Sequence, residues 1–213
     1  MKPHINIAIA DDHEMVRSAI AGYIMERPEY KVIVEVSNGI ELLEALKIDT
    51  IKPDITLLDI NMPEMNGYDT MRIIRKRYPE QKVIALSMFD NEFCIIQMLR
   101  LGAMGYVTKG GEPSTLYDAL HTVSMGNFYH PDEMPAQLIA KIHHGAPFME
   151  MNDREKEFLI LACSELNYKQ IGEEMGLSER TIHGYRDSLF EKLNVKTRAG
   201  LVIFALKTGL VTP

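Results

Sequence analysis

Short runs dense in Ile, Val and Leu recur along the first 125 residues, at Ile5–Ala10, Lys31–Val36, Asp54–Asp59, Lys82–Ser87 and Gly105–Thr108. Few polar residues interrupt them, which is the pattern of parallel strands buried on both faces. Between and after them lie stretches with helical spacing: His13–Glu26, Gly39–Lys47, Gly67–Tyr78, Asn91–Leu101 and Glu112–Met125. Five repeats of strand then helix predict a doubly wound α/β domain: a five-stranded parallel sheet joined by right-handed crossovers.

The pattern then changes. "FYHPDEMPAQLIAKIHHGAPFM" holds three prolines and a glycine, and leaves room for one short helix at Glu133–Ile142. It reads as a linker. From Asn152 onward no strand pattern remains, and four helices fit, at Asp153–Ala162, Tyr168–Met175, Glu179–Leu193 and Arg198–Lys207. Asn152 with Glu155 has the form of a helix start, and Ser178 and Thr197 are hydroxyl residues placed just before helical runs. The division is therefore 1–127 for the α/β domain, 128–149 for the linker and 150–213 for an all-α domain.

A chain of 213 residues accommodates two modest domains. Its net charge of -7 excludes a uniformly basic nucleic-acid binder but leaves room for one basic face. Cys94 and Cys163 have no metal or redox spacing and read as reduced thiols packed in helices. Met1 leads straight into a strand, so no signal peptide is read, and no apolar run approaches the roughly 20 residues of a membrane helix. The expectation is a cytoplasmic protein with no membrane partner.

The chemistry begins with "DITLLDINMPEMNG". Asp59 ends a strand whose other residues are apolar, and a buried charge needs compensation. In an open parallel sheet, ligands bind outside the carboxyl ends of the strands. There the first strand ends in Asp11-Asp12, the third in Asp59 and the fourth in Ser87, and Lys109 follows the fifth. Carboxylates this close do not all stay ionised without a cation. Hard oxygen donors with room for water suit Mg²⁺. The set resembles a phosphoryl-transfer site, in which the ion and Lys109 would neutralise phosphoryl oxygens and Ser87 would donate a hydrogen bond. Asp59 is the expected nucleophile because it lies on the middle strand of the inferred order. The Asn61 carbonyl can turn inward from the irregular loop that follows it.

Asp11-Asp12, "LLDINMPEMNG", "ALS" ending in Ser87 and "GAMGYVTK" ending in Lys109 resemble the receiver domain of two-component response regulators, over about residues 4–126. The resemblance implies that Asp59 accepts phosphate from a sensor histidine kinase. It implies that Asp12, Asp59 and the Asn61 carbonyl hold Mg²⁺, with Asp11 acting through water. Ser87 and Tyr106 become the switch pair, although the residues alone make Tyr106 a core aromatic. Two positions depart from the family pattern. Gly110-Gly111 follow the lysine where Pro is frequent, and Met88 follows Ser87 where a small residue is frequent.

"YKQIGEEMGLSERTIHGYRDSLFEKL" reads as helix, Gly-centred turn, helix, with Ile171, Met175, Leu177, Ile182, Leu189 and Leu193 able to form a shared core. From Arg180 to the end there are six basic residues (Arg180, Arg186, Lys192, Lys196, Arg198, Lys207) against two acidic ones, an electrostatic footprint for phosphates. "NDREKEFLILA", "YKQIGEEMGLSERTI" and "EKLNVKTRAGLVIFA" resemble the LuxR-type DNA-binding domain. Together with the receiver this is the NarL/FixJ architecture. The resemblance implies duplex DNA contacts from Arg180, Thr181, His183, Gly184, Arg186 and Asp187, with Lys196, Thr197 and Arg198 on phosphates. His183 stands where Lys is frequent, and Tyr185 where His is frequent.

The resulting expectation is a phosphorylation-controlled, DNA-binding transcription regulator that forms a homodimer when phosphorylated. Two rivals belong to other classes. An α/β phosphohydrolase using Asp59 requires a substrate pocket and a general acid, and Asn61 occupies the position where such an acid is sought. A phosphorylation-independent adaptor does not require Asp11, Asp12, Asp59, Ser87 and Lys109 together.

Overall fold

A computed structural model describes residues 4–88, 92–129, 151–193, 195–207 and 210–211. The helix expected at Glu133–Ile142, and nearly all of the expected linker, lie outside the described residues. The chain divides into two compact units, Met1–His144 and Gly145–Pro213.

The first unit is built on β1 (Ile5–Ala10), β2 (Tyr30–Val36), β3 (Ile55–Asp59), β4 (Lys82–Ser87) and β5 (Gly105–Thr108), in the spatial order β2-β1-β3-β4-β5. Every neighbouring pair is parallel. The fully buried β3 is the central strand, as the apolar run 55–58 requires. The connecting helices are α1 (Glu14–Met25), α2 (Gly39–Leu46), α3 (Gly67–Arg77), α4 (Glu92–Arg100) and α5 (Ser114–Ser124).

Alternation along each strand sorts its side chains onto two cores. Ile7, Ile9, Leu57, Ile84 and Leu86 pack with Ala21 and Ile24 of α1 and Leu116 and Leu120 of α5. Ala8, Ala10, Leu58, Ala85 and Tyr106 pack with Leu42, Met71, Ile74 and Met98 on the other face. Polar atoms set the ends of elements. The Asp54 carboxylate accepts the Asn6 N–H at 2.7 Å, so β3 starts one residue later than the sequence pattern suggests. Asn38 and Asn66 cap α2 and α3 by accepting from the backbone N–H three residues on.

The second unit is helical throughout its described elements: α6 (Asp153–Ala162), α7 (Tyr168–Met175), α8 (Glu179–Lys192) and α9 (Arg198–Lys207). Asn152 with Glu155, and Asn167 with Gln170, form complete capping boxes. Gly176 ends α7 at φ 67°, the left-handed conformation that glycine adopts without a Cβ penalty. Ser178 then caps α8 through the Thr181 N–H, and Thr197 caps α9 through the Gly200 N–H. Ile171, Met175, Ile182 and Leu189 are buried between the helices, with Phe158 and Leu201.

Glu155 does more than cap. Its carboxylate is 3% exposed as a residue and accepts from Lys192 Nζ at 2.6 and 2.7 Å, Ser188 Oγ at 3.0 Å and the Asn152 N–H at 3.0 Å. Burial pushes this carboxyl up, but the bonds from Lys192, Asn152 and Ser188 outweigh it and hold it below the usual range. One ion pair thereby ties the start of α6 to the end of α8. Removing one partner of a buried pair leaves an uncompensated charge. Lys192→Met should therefore destabilise the second unit by roughly 3–5 kcal/mol in urea titrations. Glu155→Gln combined with Lys192→Met should recover much of the loss, because no charge then stays unpaired.

Candidate functional site

The carboxyl ends of β1, β3 and β5 place Asp11, Asp59 and Lys109 around one point. Lys109 Nζ lies 2.7 Å from Asp11 Oδ2 and 2.8 Å from Asp59 Oδ2. All three side chains are nearly inaccessible, at 4, 0 and 5% exposure for Lys109, Asp11 and Asp59. Asp11 also accepts the His13 N–H, and Asp59 Oδ1 faces the Asn61 N–H at 3.4 Å. Asp12 is more open and holds the His13 imidazole, with Nδ1 at 2.8 Å from its Oδ1. Donor atoms of Asp11, Asp12, His13 and Asp59 all lie within 4.8 Å of one another.

The electrostatics follow from burial. Desolvation pushes the Asp59 carboxyl up to about 6, Lys109 opposes the rise and Asp11 adds to it. One ammonium is shared between two buried carboxylates, so the cluster is short of positive charge. Hard oxygen donors in that state fit a small divalent cation.

The loop after β3 is folded back onto its own strand. Gly67 N–H donates to the Ile60 carbonyl at 2.8 Å. A Cβ on Gly67 would lie inside van der Waals contact of the Asp59 carbonyl oxygen. Glu64, in the same loop, has φ 61°, a conformation that costs a non-glycine residue about 1–2 kcal/mol. Ser87 is buried at the end of β4, and its carbonyl accepts the Lys109 N–H at 2.7 Å. Met88, next to it in the chain, is 62% exposed. Tyr106 is fully buried in the core cluster that contains Cys94, Ile95 and Met98 of α4. A cleft of about 340 Å³ lies between α1 and α5, lined by Ile20, Tyr23, Leu86, Val107 and Leu116 among others. It is mostly apolar; Lys109 and Glu112 also line it, and none of the three aspartates does.

In the helical unit, α8 buries Ile182 and Leu189 and exposes Arg180, Thr181, Gly184 and Asp187. His183 sits on the flank, half-buried, with its ring edge-on to Tyr168 at 5.3 Å and Nδ1 2.8 Å from Arg186 Nη1. Arg186 is also paired to Asp187 at 2.8 Å. Lys196 and Thr197 are exposed at the start of α9. Arg198 donates to the Ala162 and Ser164 carbonyls at 2.9 and 2.8 Å, so its guanidinium closes the C-terminal end of α6.

The six basic residues counted from Arg180 onward differ in their surroundings. Lys192 is enclosed with Glu155, because the helix start that needs a Glu at its third position also buries that Glu. The Lys207 side chain lies outside the described residues. Of those six, Arg180 and Lys196 are exposed, and Arg186 and Arg198 are half-buried.

Comparisons with known proteins agree with both halves. Residues 7–121 match the response regulator receiver domain, and residues 149–205 match the luxR family of bacterial regulatory proteins. The chain is a response regulator of the NarL/FixJ type. It is 30% identical to the transcriptional regulatory protein DegU of Brevibacillus brevis, covering 97% of this chain and 95% of that one. It is 31% identical to LnrK of Bacillus subtilis (strain 168), over 97% and 98%. RcsB from Salmonella enterica serovar Typhimurium, solved bound to promoter P1flhDC with the phosphomimetic BeF3-, superposes with a TM-score of 0.72 at 26% identity, over 96% and 98%. Response regulators of this class regulate transcription through DNA and are not enzymes, which removes the phosphohydrolase reading. No helix among the described residues is long and apolar enough to cross a membrane.

Several residues of this response regulator escaped sequence reasoning. Glu155 was legible as a capping residue but not as a buried ion-pair partner. Tyr168 stood only as the first residue of a helix. Glu64 carries no signal, since its left-handed backbone is imposed by the loop around it.

The raised Asp59 carboxyl makes a signed prediction. A group whose folded pKa is raised stabilises the fold below its unfolded pKa and loses that contribution as pH rises through the folded value. With chelator present, Asp59→Asn should be more stable than the native chain at pH 7.5, by roughly 1–3 kcal/mol. The advantage should shrink as pH falls through 6 and vanish near pH 4. Urea titrations across that window read it, and an advantage independent of pH would show that burial of the charge is not the cause.

Proposed function

We propose that Asp59 is the phosphoacceptor through which a sensor histidine kinase controls DNA binding by the helical unit. The observation that carries this is the Lys109 ammonium held between Asp11 and Asp59 in a nearly inaccessible pocket. An Asp59 carboxylate oxygen attacks phosphorus, the N–P bond of the kinase's phosphohistidine breaks, and the imidazole leaves with its electron pair. Asp12, Asp59 and the Asn61 carbonyl are the groups that would hold Mg²⁺, with Asp11 acting through water. The ion, when bound, neutralises phosphoryl oxygens. Lys109 adds an ammonium to the same oxygens, and Ser87 donates a hydrogen bond.

Ser87 and Tyr106 supply the response. They stand on β4 and β5, and Tyr106 packs against α4, so a shift of Ser87 toward the phosphoryl group reaches the α4 side of the domain. The outcome is homodimerisation and binding of duplex DNA by two copies of α8 at paired half-sites, in the cytoplasm. Arg180, Thr181, Gly184 and Asp187 face outward from α8, His183 and Arg186 flank them, and Lys196, Thr197 and Arg198 contact backbone phosphates. The RcsB promoter complex formed with a phosphomimetic supports this sequence of events.

Treatment with a small phosphodonor and Mg²⁺ should label Asp59 alone by mass spectrometry, and Asp59→Asn should take no label. Full labelling of that variant would sink the assignment. Asp12→Ala should weaken Mg²⁺ binding by about 10-fold or more, measured by titration of the intrinsic tyrosine fluorescence or by calorimetry.

The DNA contacts separate by mutation. Lys196→Ala should weaken binding to all duplexes alike, since phosphate contacts carry no sequence information. Asp187→Ala should relax one position of the preferred site by roughly 1–3 kcal/mol if the carboxylate accepts from a cytosine amino group. Uniform tightening would instead show that Asp187 only repels phosphate. Selection from random duplexes with phosphorylated full-length protein distinguishes the two.

A further inference from the structure

We infer that Tyr168 is a positioning residue for DNA readout, holding His183 and Arg186 of α8 in the arrangement that presents Asp187 to the groove. The inference rests on the DNA-binding reading above. Tyr168 is the first residue of α7, and its backbone is pinned by the Asn167–Gln170 capping box. Its ring is stacked near Phe158, with centroids 6.3 Å apart and planes 20° from parallel. That leaves the rest of the ring surface to basic side chains. The Arg186 and Arg198 guanidiniums each lie 5.6 Å from the ring centroid. The His183 ring meets it edge-on at 5.3 Å.

These groups form one connected set. Arg186 Nη1 contacts His183 Nδ1 at 2.8 Å, and Arg186 Nε donates to Asp187 Oδ1 at 2.8 Å. Arg186 also lies 6.0 Å from the Phe190 ring. The path therefore runs from the Tyr168 face through Arg186 to the carboxylate of Asp187. Arg198 is anchored independently, on the Ala162 and Ser164 carbonyls, so the ring sits between one fixed guanidinium and one that serves the recognition helix. Cations over the face of a tyrosine are attracted by its quadrupole. Side chains already ordered before binding lose less entropy when DNA arrives.

Tyr168→Leu removes the π face and keeps an apolar group against Phe158. Tyr168→Phe keeps the face and removes the hydroxyl. With phosphorylated full-length protein, Tyr168→Leu should lower duplex affinity by about 5- to 50-fold, two side chains being released from order. It should also broaden the preferred sequence at the position that Asp187→Ala affects, while Tyr168→Phe retains both affinity and preference. Arg186→Gln supplies a second arm that leaves the ring untouched. It should broaden the same position, and adding Tyr168→Leu to it should change little further, because both act through one contact. Additive losses with an unchanged preference would reduce Tyr168 to a packing residue and overturn the proposal. So would unchanged binding by a folded Tyr168→Leu protein. Failure of the native phosphorylated chain to select any duplex would instead overturn the DNA reading itself, so the two failures are told apart by the native control.

Discussion

One ammonium shared between two buried carboxylates is the constraint on which the receiver depends. Lys109 follows β5, whereas Asp59 ends β3, and β4 lies between them. The separation is two strand spacings, about 10 Å, and the lysine stem bridges it at the carboxyl edge of the sheet. Only a parallel sheet with β1, β3, β4 and β5 in this order brings Asp11, Asp59, Ser87 and Lys109 to one edge. The fold and the site therefore constrain each other. A change in strand order would separate the charges, and a loss of Lys109 would leave two carboxylates buried without a counter-ion.

The charge within that cluster is unbalanced. A pocket neutralised fully from inside would have no use for a cation. This one holds more carboxylate than ammonium, and burial raises the Asp59 carboxyl toward neutrality. A divalent cation would change that charge distribution, and Ser87 stands at the same end of the sheet, on β4 beside β5. Gly67 keeps the loop after β3 seated against the Asp59 backbone, so the loop that carries the Asn61 carbonyl is fixed relative to Asp59.

The helical unit uses charge in the opposite way. Glu155 and Lys192 match each other inside the fold, and Arg198 donates through Nε and Nη2 to the carbonyl end of α6. Arg186 pairs with Asp187 at the surface, where such pairs contribute little to stability but set which atoms face outward. A basic count taken along the chain overstates the free positive charge, because charges close in sequence are distributed between core, cap and surface by the helix geometry.

The five-strand, helix-alternating half and the helical half were legible in the sequence, because burial on both faces and helical spacing impose different periods on apolar residues. So were Asp11, Asp12, Asp59, Ser87 and Lys109 as a set, since each stands at the same end of its strand, and so were the Asn152, Ser178 and Thr197 helix starts. These are local signals: they need only a residue's place within its own element. What tertiary structure alone decided is which charged groups meet. The Lys109 contacts to Asp11 and Asp59, the enclosure of Lys192 by Glu155 across 37 positions and the convergence of His183, Arg186 and Arg198 on Tyr168 all join elements distant in the chain. Side chains of the same type differ in role there because their surroundings come from other helices and strands, and no periodicity along one element encodes those surroundings.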